Sequence, residues 1–348
     1  MQQIAWIASV CLVLAGCQCH PMRIEATATV KPEMPVAKVG PVVSQTVAND
    51  HAAGCACEEC CGPKIAVIDV DGLLVNADMT GLGSAGENPV SLFHERLDAV
   101  QQDRSVRAVV IRINSPGGGV TATDIMWHDL QQFRDCTKLP VVSCVLDVGA
   151  GGAYFLATAS DQIVAHPTSV TGGIGVILNL YDFSLMLEHY QILSVPVKAG
   201  PNIDMGSPLR ELGDERRAML QKMADEYHRH FKQVVKRARP SIDTTLSSTF
   251  DGRVFTATQA LNRRLIDQVG YLDDAVETAR RLAGVGDAKV AMYHRCSDRA
   301  RSPYAITPNI PLHTSALPLS IPAFDRTKMP TFLYLWQPEP TMEKMVGR

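Results

Sequence analysis

Ala108-Val109-Val110-Ile111-Arg112-Ile113-Asn114-Ser115-Pro116-Gly117-Gly118-Gly119 decides the fold. Its first six residues are a short apolar run rich in β-branched side chains, suited to a strand buried on both faces. Ser115-Pro116-Gly117-Gly118-Gly119 then breaks the chain, and over residues 121–134 Met126, Leu130 and Phe133 return on one helical face. Upstream, Ile65-Ala66-Val67-Ile68-Asp69-Val70 reads as another buried strand, followed by Leu92 or Phe93, Leu97 and Val100 at helical spacing. Downstream, a strand over 140–146 ends in Gly149-Ala150-Gly151-Gly152-Ala153. A helix of small residues runs from there to Ala159, and Ile163-Val164-Ala165 is a fourth strand. Short buried strands alternating with helices predict an α/β fold with a parallel sheet. A long amphipathic helix over 214–239 carries Met219, Met223, Tyr227, Phe231 and Val235 in an i+4 row, read as core or subunit contact.

The 348 residues allow two ordinary domains or one α/β domain with appendages. With 46% hydrophobic and 20% charged residues, the chain is neither a disordered polyelectrolyte nor a polytopic membrane protein. Lys plus Arg number 33 against 36 Asp plus Glu, and no basic block is present, so nucleic acid is not an expected partner.

Residues 4–15 are apolar and uncharged but too short to span a bilayer of about 30 Å. They read as the core of a signal peptide ending at residue 16. Leu14-Ala15-Gly16-Cys17 resembles the lipobox of bacterial lipoproteins, which makes Cys17 the acylated residue and the cell envelope the expected location. Several acyl chains would anchor the protein stably, where one chain alone is marginal. Residues 17–63 read as the lipidated cysteine and a tether. Cys55, Cys57, Cys60 and Cys61 cluster there beside His51. Soft thiolates at this spacing suit Zn²⁺ or Cu(I), and local or intersubunit disulfides are the alternative. Residues 64–286 form the expected folded domain, and 287–348 a proline-rich, mostly irregular tail with an isolated apolar patch, Phe332-Leu333-Tyr334-Leu335-Trp336.

Gly117, Gly118 and Gly119 lie between a strand and a helix, where bare N–H groups can converge on an oxyanion; a tight turn alone would also use glycine. The second glycine cluster sits where a nucleophile elbow is normally built, yet carries no nucleophile. Neither cluster has the spacing of a phosphate loop.

The succession continues through Thr171-Gly172-Gly173-Ile174-Gly175, Lys198-Ala199-Gly200, Asp204-Met205-Gly206-Ser207-Pro208 and Asp251-Gly252-Arg253-Val254-Phe255-Thr256. It closes with Leu265-Ile266-Asp267-Gln268-Val269-Gly270-Tyr271-Leu272. In this order over residues 64–286 it resembles the signal peptide peptidase A, or protease IV, family. The resemblance implies a ClpP/crotonase-like fold of repeated ββα units with C-terminal helices. It further implies membrane-associated rings and Ser/Lys hydrolysis of signal-peptide remnants or other short peptides, with no cofactor. Gly117, Gly118, Gly119 and Gly152 would then form the oxyanion and peptide-binding frame. The resemblance also places the family's serine at Gly151 and its lysine at Ile203. Glycine has no atom to acylate and isoleucine no lone pair to take a proton. The expected protein is a non-catalytic homologue that binds peptides or partner subunits, as a homo-oligomer or a mixed ring with an active relative. The alternative is an active envelope peptidase working through a substitute such as Lys198. Ser115, Ser143, Ser160, Thr171, His166 and Asp147 have ordinary structural readings.

Overall fold

The computed structural model describes residues 42–46, 62–77, 88–243, 246–295 and 332–336. In chain order the elements are β1 (Val42–Thr46), β2 (Lys64–Leu74), α1 (Pro89–Gln102), β3 (Val106–Gly119), α2 (Val120–Thr137), β4 (Val141–Ala150) and α3 (Gly152–Ala157). They continue with β5 (Gln162–Ala165), β6 (Val170–Gly172), α4 (Ser184–His189), α5 (Asp214–Ala238), β7 (Val254–Thr256), α6 (Ala257–Asn262), β8 (Gln268–Val269), α7 (Leu272–Ala283), β9 (Lys289–Arg295) and β10 (Leu333–Leu335).

The apolar runs form the central strands. Among the described residues the sheet order is β1-β9-β2-β3-β4-β5-β8; β2 to β5, β8 and β9 are mutually parallel, and β1 is antiparallel to β9. Successive side chains point to opposite faces, so continuous apolar runs supply two cores. Ile65, Val67, Ala108, Val110, Val142 and Val164 face α7, meeting Leu272, Ala275, Val276 and Ala279. Ala66, Ile68, Val109, Ile111, Ile113 and Val145 face the other way, packing with residues of α1, α2, α3 and α5 such as Phe93, Met126, Phe155 and Phe231. The class is mixed α/β with a parallel-dominated sheet, as the periodicity predicts.

Local chemistry fixes the helix ends. The Asn88 side chain accepts from the N–H groups of Val90 and Ser91 while Pro89 occupies the first helical position of α1. At the end of α7, Gly284 takes the left-handed conformation at φ 68°.

One expectation changes. Ser115-Pro116-Gly117-Gly118-Gly119 does not break the strand; β3 runs extended through it to Gly119. Beyond the expected bounds of residues 64 and 286, Val42–Thr46, Lys289–Arg295 and Leu333–Leu335 also pair in the sheet. Segments read as tether and tail therefore contribute strands, since their backbone pairing is set by distant partners and not by local pattern. In the long helix α5, Phe231, Val234 and Val235 are buried, whereas Met223 is exposed. The signal peptide, Cys17 and the cluster of Cys55, Cys57, Cys60 and Cys61 lie outside the described residues. Among the described residues, no helix is long and apolar enough to cross a membrane, and no group of three His, Cys, Asp or Glu is placed to hold a metal.

Candidate functional site

The C-terminal ends of β3 and β4 build the site. Ser115 pairs with Gly149 after a register shift, and the chain then turns at Gly151 into α3. Gly151 has φ 55° and ψ −123°, a left-handed backbone that a side chain occupies only under strain. This is the sharp strand-to-helix geometry of a nucleophile elbow. The Gly151 N–H donates to the Gly172 carbonyl at 2.9 Å, and the Gly151 carbonyl accepts from Phe155 at 3.0 Å, so the turn is held from both sides.

The expected oxyanion glycines divide by what they touch. A methyl carbon on Gly117 would overlap the Tyr334 carbonyl oxygen and lie 2.6 Å from the Gly152 nitrogen, so Gly117 faces the site. Gly118 instead faces β2; a carbon there would fall 2.6 Å from the Leu74 carbonyl carbon and 2.7 Å from its nitrogen. Gly119 meets only Ala122 and Leu74, beyond 3.6 Å, and serves as the N-cap of α2. Gly152 lies against Thr123, and its added carbon would be 3.3 Å from the Gly118 nitrogen.

The apolar patch of the tail lies over this frame. β10 pairs antiparallel with β3, matching Leu333 with Gly119, Tyr334 with Gly118 and Leu335 with Gly117. On its other side Leu333 exchanges two hydrogen bonds with Ile177, at 2.9 and 3.0 Å. The first N–H of α2, on Val120, donates to the Phe332 carbonyl at 3.2 Å, filling one of the donors a helix start leaves open. The frame is thus a slot between two backbone edges, wide enough for one extended strand.

The other sequence candidates are engaged elsewhere. Ile203 is 75% exposed in the turn that follows Gly200. The Lys198 ammonium donates to Asp204 at 2.5 Å and to the Pro201 carbonyl at 3.1 Å. That hydrogen bond holds the Asp204 carboxyl below the usual carboxylate range. Ser115 accepts from the Gly117 N–H at 3.1 Å and so shapes the glycine run. The Ser143 and Ser160 hydroxyls bond each other at 2.6 Å, and Thr171 donates to the Gly149 carbonyl at 2.7 Å. His166 packs edge-on against Tyr271 at 4.8 Å, while Asp147 is exposed on β4. Burial pushes the Cys144 thiol up to about 12, which removes its thiolate at neutral pH.

Sequence reasoning missed two participants. Thr123 is fully buried beside Gly152, and its hydroxyl has no hydrogen-bond partner among the described residues. Ile177 supplies the second edge of the slot through its backbone alone. A threonine in the first turn of a helix and a backbone edge carry no side-chain signature, so neither has a motif to find.

With the geometry in place, the comparisons with known proteins decide the family. The model of peptidase family S49 matches residues 134–286. A candidate protease of Synechocystis sp., slr0021, is 31% identical over 219 residues, covering 63% of this chain and 77% of that one. The chain belongs to peptidase family S49. Within S49, a candidate signal peptide peptidase SppA of Enterococcus faecium is 27% identical over 230 residues, 66% of this chain and 67% of that one. The chain therefore spans about two thirds of the length of that relative. Among solved structures, a mutant of the 1510-N membrane-bound stomatin-specific protease is similar at 16% identity and TM-score 0.40, covering 62% of this chain and 84% of that one. The S49 match carries the glycine turn at Gly151, the Lys198 segment and α5 to α7, all within residues 134–286.

Proposed function

We propose that this chain is a peptide-binding member of the S49 family that does not cleave by the Ser/Lys mechanism. One observation carries the reading: the strand-binding slot is complete, and the elbow at its centre is Gly151, which offers no nucleophile. The backbone edges of Gly117–Gly119 and Ile177 would take an extended peptide by strand addition, which recognises main chain first and side chains second. Lys198, the substitute considered for catalysis, is committed to Asp204 and Pro201.

The full chain is the material to test, because a body cut at residues 63 and 286 would lack β1, β9 and β10. A dye-labelled apolar peptide is expected to bind saturably in an anisotropy titration and to remain uncut by mass spectrometry. Hydrolysis that disappears in Lys198→Ala would establish the active alternative, and absence of any binding would remove the peptide-binding reading.

The reading extends to assembly and location. Residues 181–209 expose Leu185, Tyr190, Leu193, Val195 and Val197, with Leu193 84% accessible. An apolar strip of this kind on a soluble body marks a contact surface, and it supports a ring of like subunits or a mixed ring with an active relative. Leu193→Asp/Val197→Asp is expected to reduce the sedimenting mass to that of a monomer; an unchanged mass sinks the assignment. Co-purification with an active relative would favour the mixed ring. The envelope location rests on the lipobox at Cys17, and loss of membrane partition in Cys17→Ala is the matching check.

A further inference from the structure

We propose that the cleft formed beside Arg263 and Arg264 is a binding site for a phosphate group, separate from the peptide slot. It does not rest on the peptide-binding reading. The sequence concentrates positive charge in this region. Between residues 228 and 264 eight Lys and Arg stand against two Asp, in a chain whose net charge is −3. Contacts gather several of these cations around the stretch that joins α5 to β7. Lys236 lies 5.4 Å from the centre of the Phe250 ring, Arg263 donates to the Thr249 hydroxyl, and Arg264 donates to the Ser241 carbonyl. Arg239 is neutralised by Asp267 through hydrogen bonds at 2.8 and 3.0 Å. Arg263 and Arg264 are not. Among the described residues their partners are two hydroxyls, one carbonyl and one aromatic ring, and neither guanidinium is paired with a carboxylate.

The cleft has a volume of about 430 Å³, and its walls include Ser241, Asp243, Thr249 and Asn262 beside the two arginines. Arg263 is held in place on two sides. Its guanidinium lies over the Phe255 ring, 4.6 Å from the centre, and one of its amino groups donates to Thr249 at 3.1 Å and to Ser248 at 3.4 Å. A guanidinium carries five N–H donors in a planar fork, so most of them are left for a ligand. Thr249 receives that bond through its oxygen, which leaves its own proton for an acceptor in the cleft. Arg264 is placed by its backbone. It follows the last turn of α6 at φ 60°, a left-handed position where glycine is the usual residue, and its side chain donates to the Ser241 carbonyl at 3.1 Å. A side chain kept at such a position points to a use for that side chain.

The donor set decides the kind of anion. A carboxylate is satisfied by a single guanidinium fork. A phosphate presents its oxygens tetrahedrally and takes donors from several directions, which two guanidiniums, the Thr249 hydroxyl and the Asn262 amide supply. Asp243 is the one carboxylate among the described residues that line the cleft. It opposes an anion there and sets the sign of a control: removing its charge tightens an anion and weakens a cation. Two sources present the same group, a soluble phosphate and the headgroup of an anionic phospholipid.

The test uses the full-length chain. Calorimetric titration of wild type with inorganic phosphate is expected to show one saturable site. Arg264→Gln is expected to bind at least about tenfold more weakly, through loss of one charge-assisted fork. Arg264→Lys should recover only part of that loss, because an ammonium lacks the fork. Asp243→Asn should bind at least as tightly as wild type; weaker binding would assign the cleft to a cation and overturns the proposal. Lys138→Gln removes a basic side chain at the left-handed end of α2 and is expected to leave the affinity unchanged. A loss there equal to that of Arg264→Gln would mean diffuse attraction and overturns the site, and acetate competing as well as phosphate overturns the choice of anion. Sedimentation with vesicles of phosphatidylcholine alone, or of equal parts phosphatidylcholine and phosphatidylglycerol, separates the sources. Phosphate binding without preference for the phosphatidylglycerol vesicles assigns a soluble ligand, and a preference that Arg264→Gln removes assigns the headgroup. No phosphate binding, with no vesicle preference that depends on Arg264, overturns the proposal. Phenylglyoxal, which modifies guanidinium groups, gives an independent reading on unaltered wild type. Phosphate is expected to slow labelling of Arg264; labelling that neither phosphate nor phosphatidylglycerol vesicles slow overturns the proposal.

Discussion

Gly151→Ser combined with Ile203→Lys is expected to raise peptide hydrolysis by on the order of 10³-fold or more over wild type, since nucleophile and base carry most of the rate in such sites. The expectation rests on the turn at residue 151. The elbow holds φ 55° at residue 151, a conformation that costs a non-glycine residue about 1–3 kcal/mol and that serine nucleophiles adopt at such turns. The first substrate is expected to be the chain itself. The carbonyl carbon of Tyr334 lies 2.8 Å from where the new Cβ would be, so the introduced hydroxyl either expels the segment or attacks it. Attack forms an ester between the hydroxyl oxygen and the Tyr334 carbonyl carbon, with the hydroxyl proton passing to the introduced amine and then to the departing Leu335 nitrogen. Water then releases the Tyr334 carboxylate and frees the hydroxyl. Intact-mass analysis should show loss of a fragment beginning at Leu335. A folded double variant that cleaves neither itself nor a free peptide would mean that the frame cannot position the dyad.

Arg112→Ala is expected to lose about 3–5 kcal/mol of stability, read as a lowered urea midpoint, because it leaves a carboxylate buried without its partner. Asp69 and Arg112 are paired neighbours on β2 and β3, joined by two hydrogen bonds at 2.6 and 2.7 Å. Both are more than nine-tenths buried. Arg96 reaches the same place from α1 and donates to the Asp69 carbonyl at 2.7 Å. Burial also raises the pKa of the neighbouring Asp71 carboxyl. The double change Asp69→Leu/Arg112→Met should recover much of the loss, as well-packed apolar pairs often replace buried ion pairs without cost. A loss below about 1 kcal/mol for Arg112→Ala would show that water reaches the site.

The sequence made the central strands legible and left their extensions obscure. Ile65 to Val70 and Ala108 to Ile113 announce themselves because strands buried on both faces need nearly continuous apolar, β-branched runs, each interrupted here by one member of the Asp69–Arg112 pair. Ser115 to Gly119 reads as a turn because glycine has no side chain to show periodicity. In the fold the same absence lets an extended strand pass between Leu74 and Tyr334. The Gly151 elbow was legible from its position between a strand and a helix. Residues 332–336 were visible only as an apolar patch, since their strand pairing is with glycines that carry no side-chain pattern and with the backbone of Ile177. Val42 to Thr46 pairs with Lys289 to Arg295, which pairs in turn with β2, a pairing that no local pattern encodes.

The order β1-β9-β2 has a consequence for how the molecule is made. A strand from beyond residue 288 must enter between two strands from the first 74 residues. The Tyr293 hydroxyl then bonds Asp103 at 2.7 Å, across a sequence separation of 190 residues. Pairings this distant are slow to form. Throughout synthesis the β2 edge stays open until nearly all of the described chain has emerged, so one flank of the sheet is the last part to set. During that interval the open β2 edge offers unpaired backbone groups to any other chain nearby, a hazard that the arrival of β9 removes.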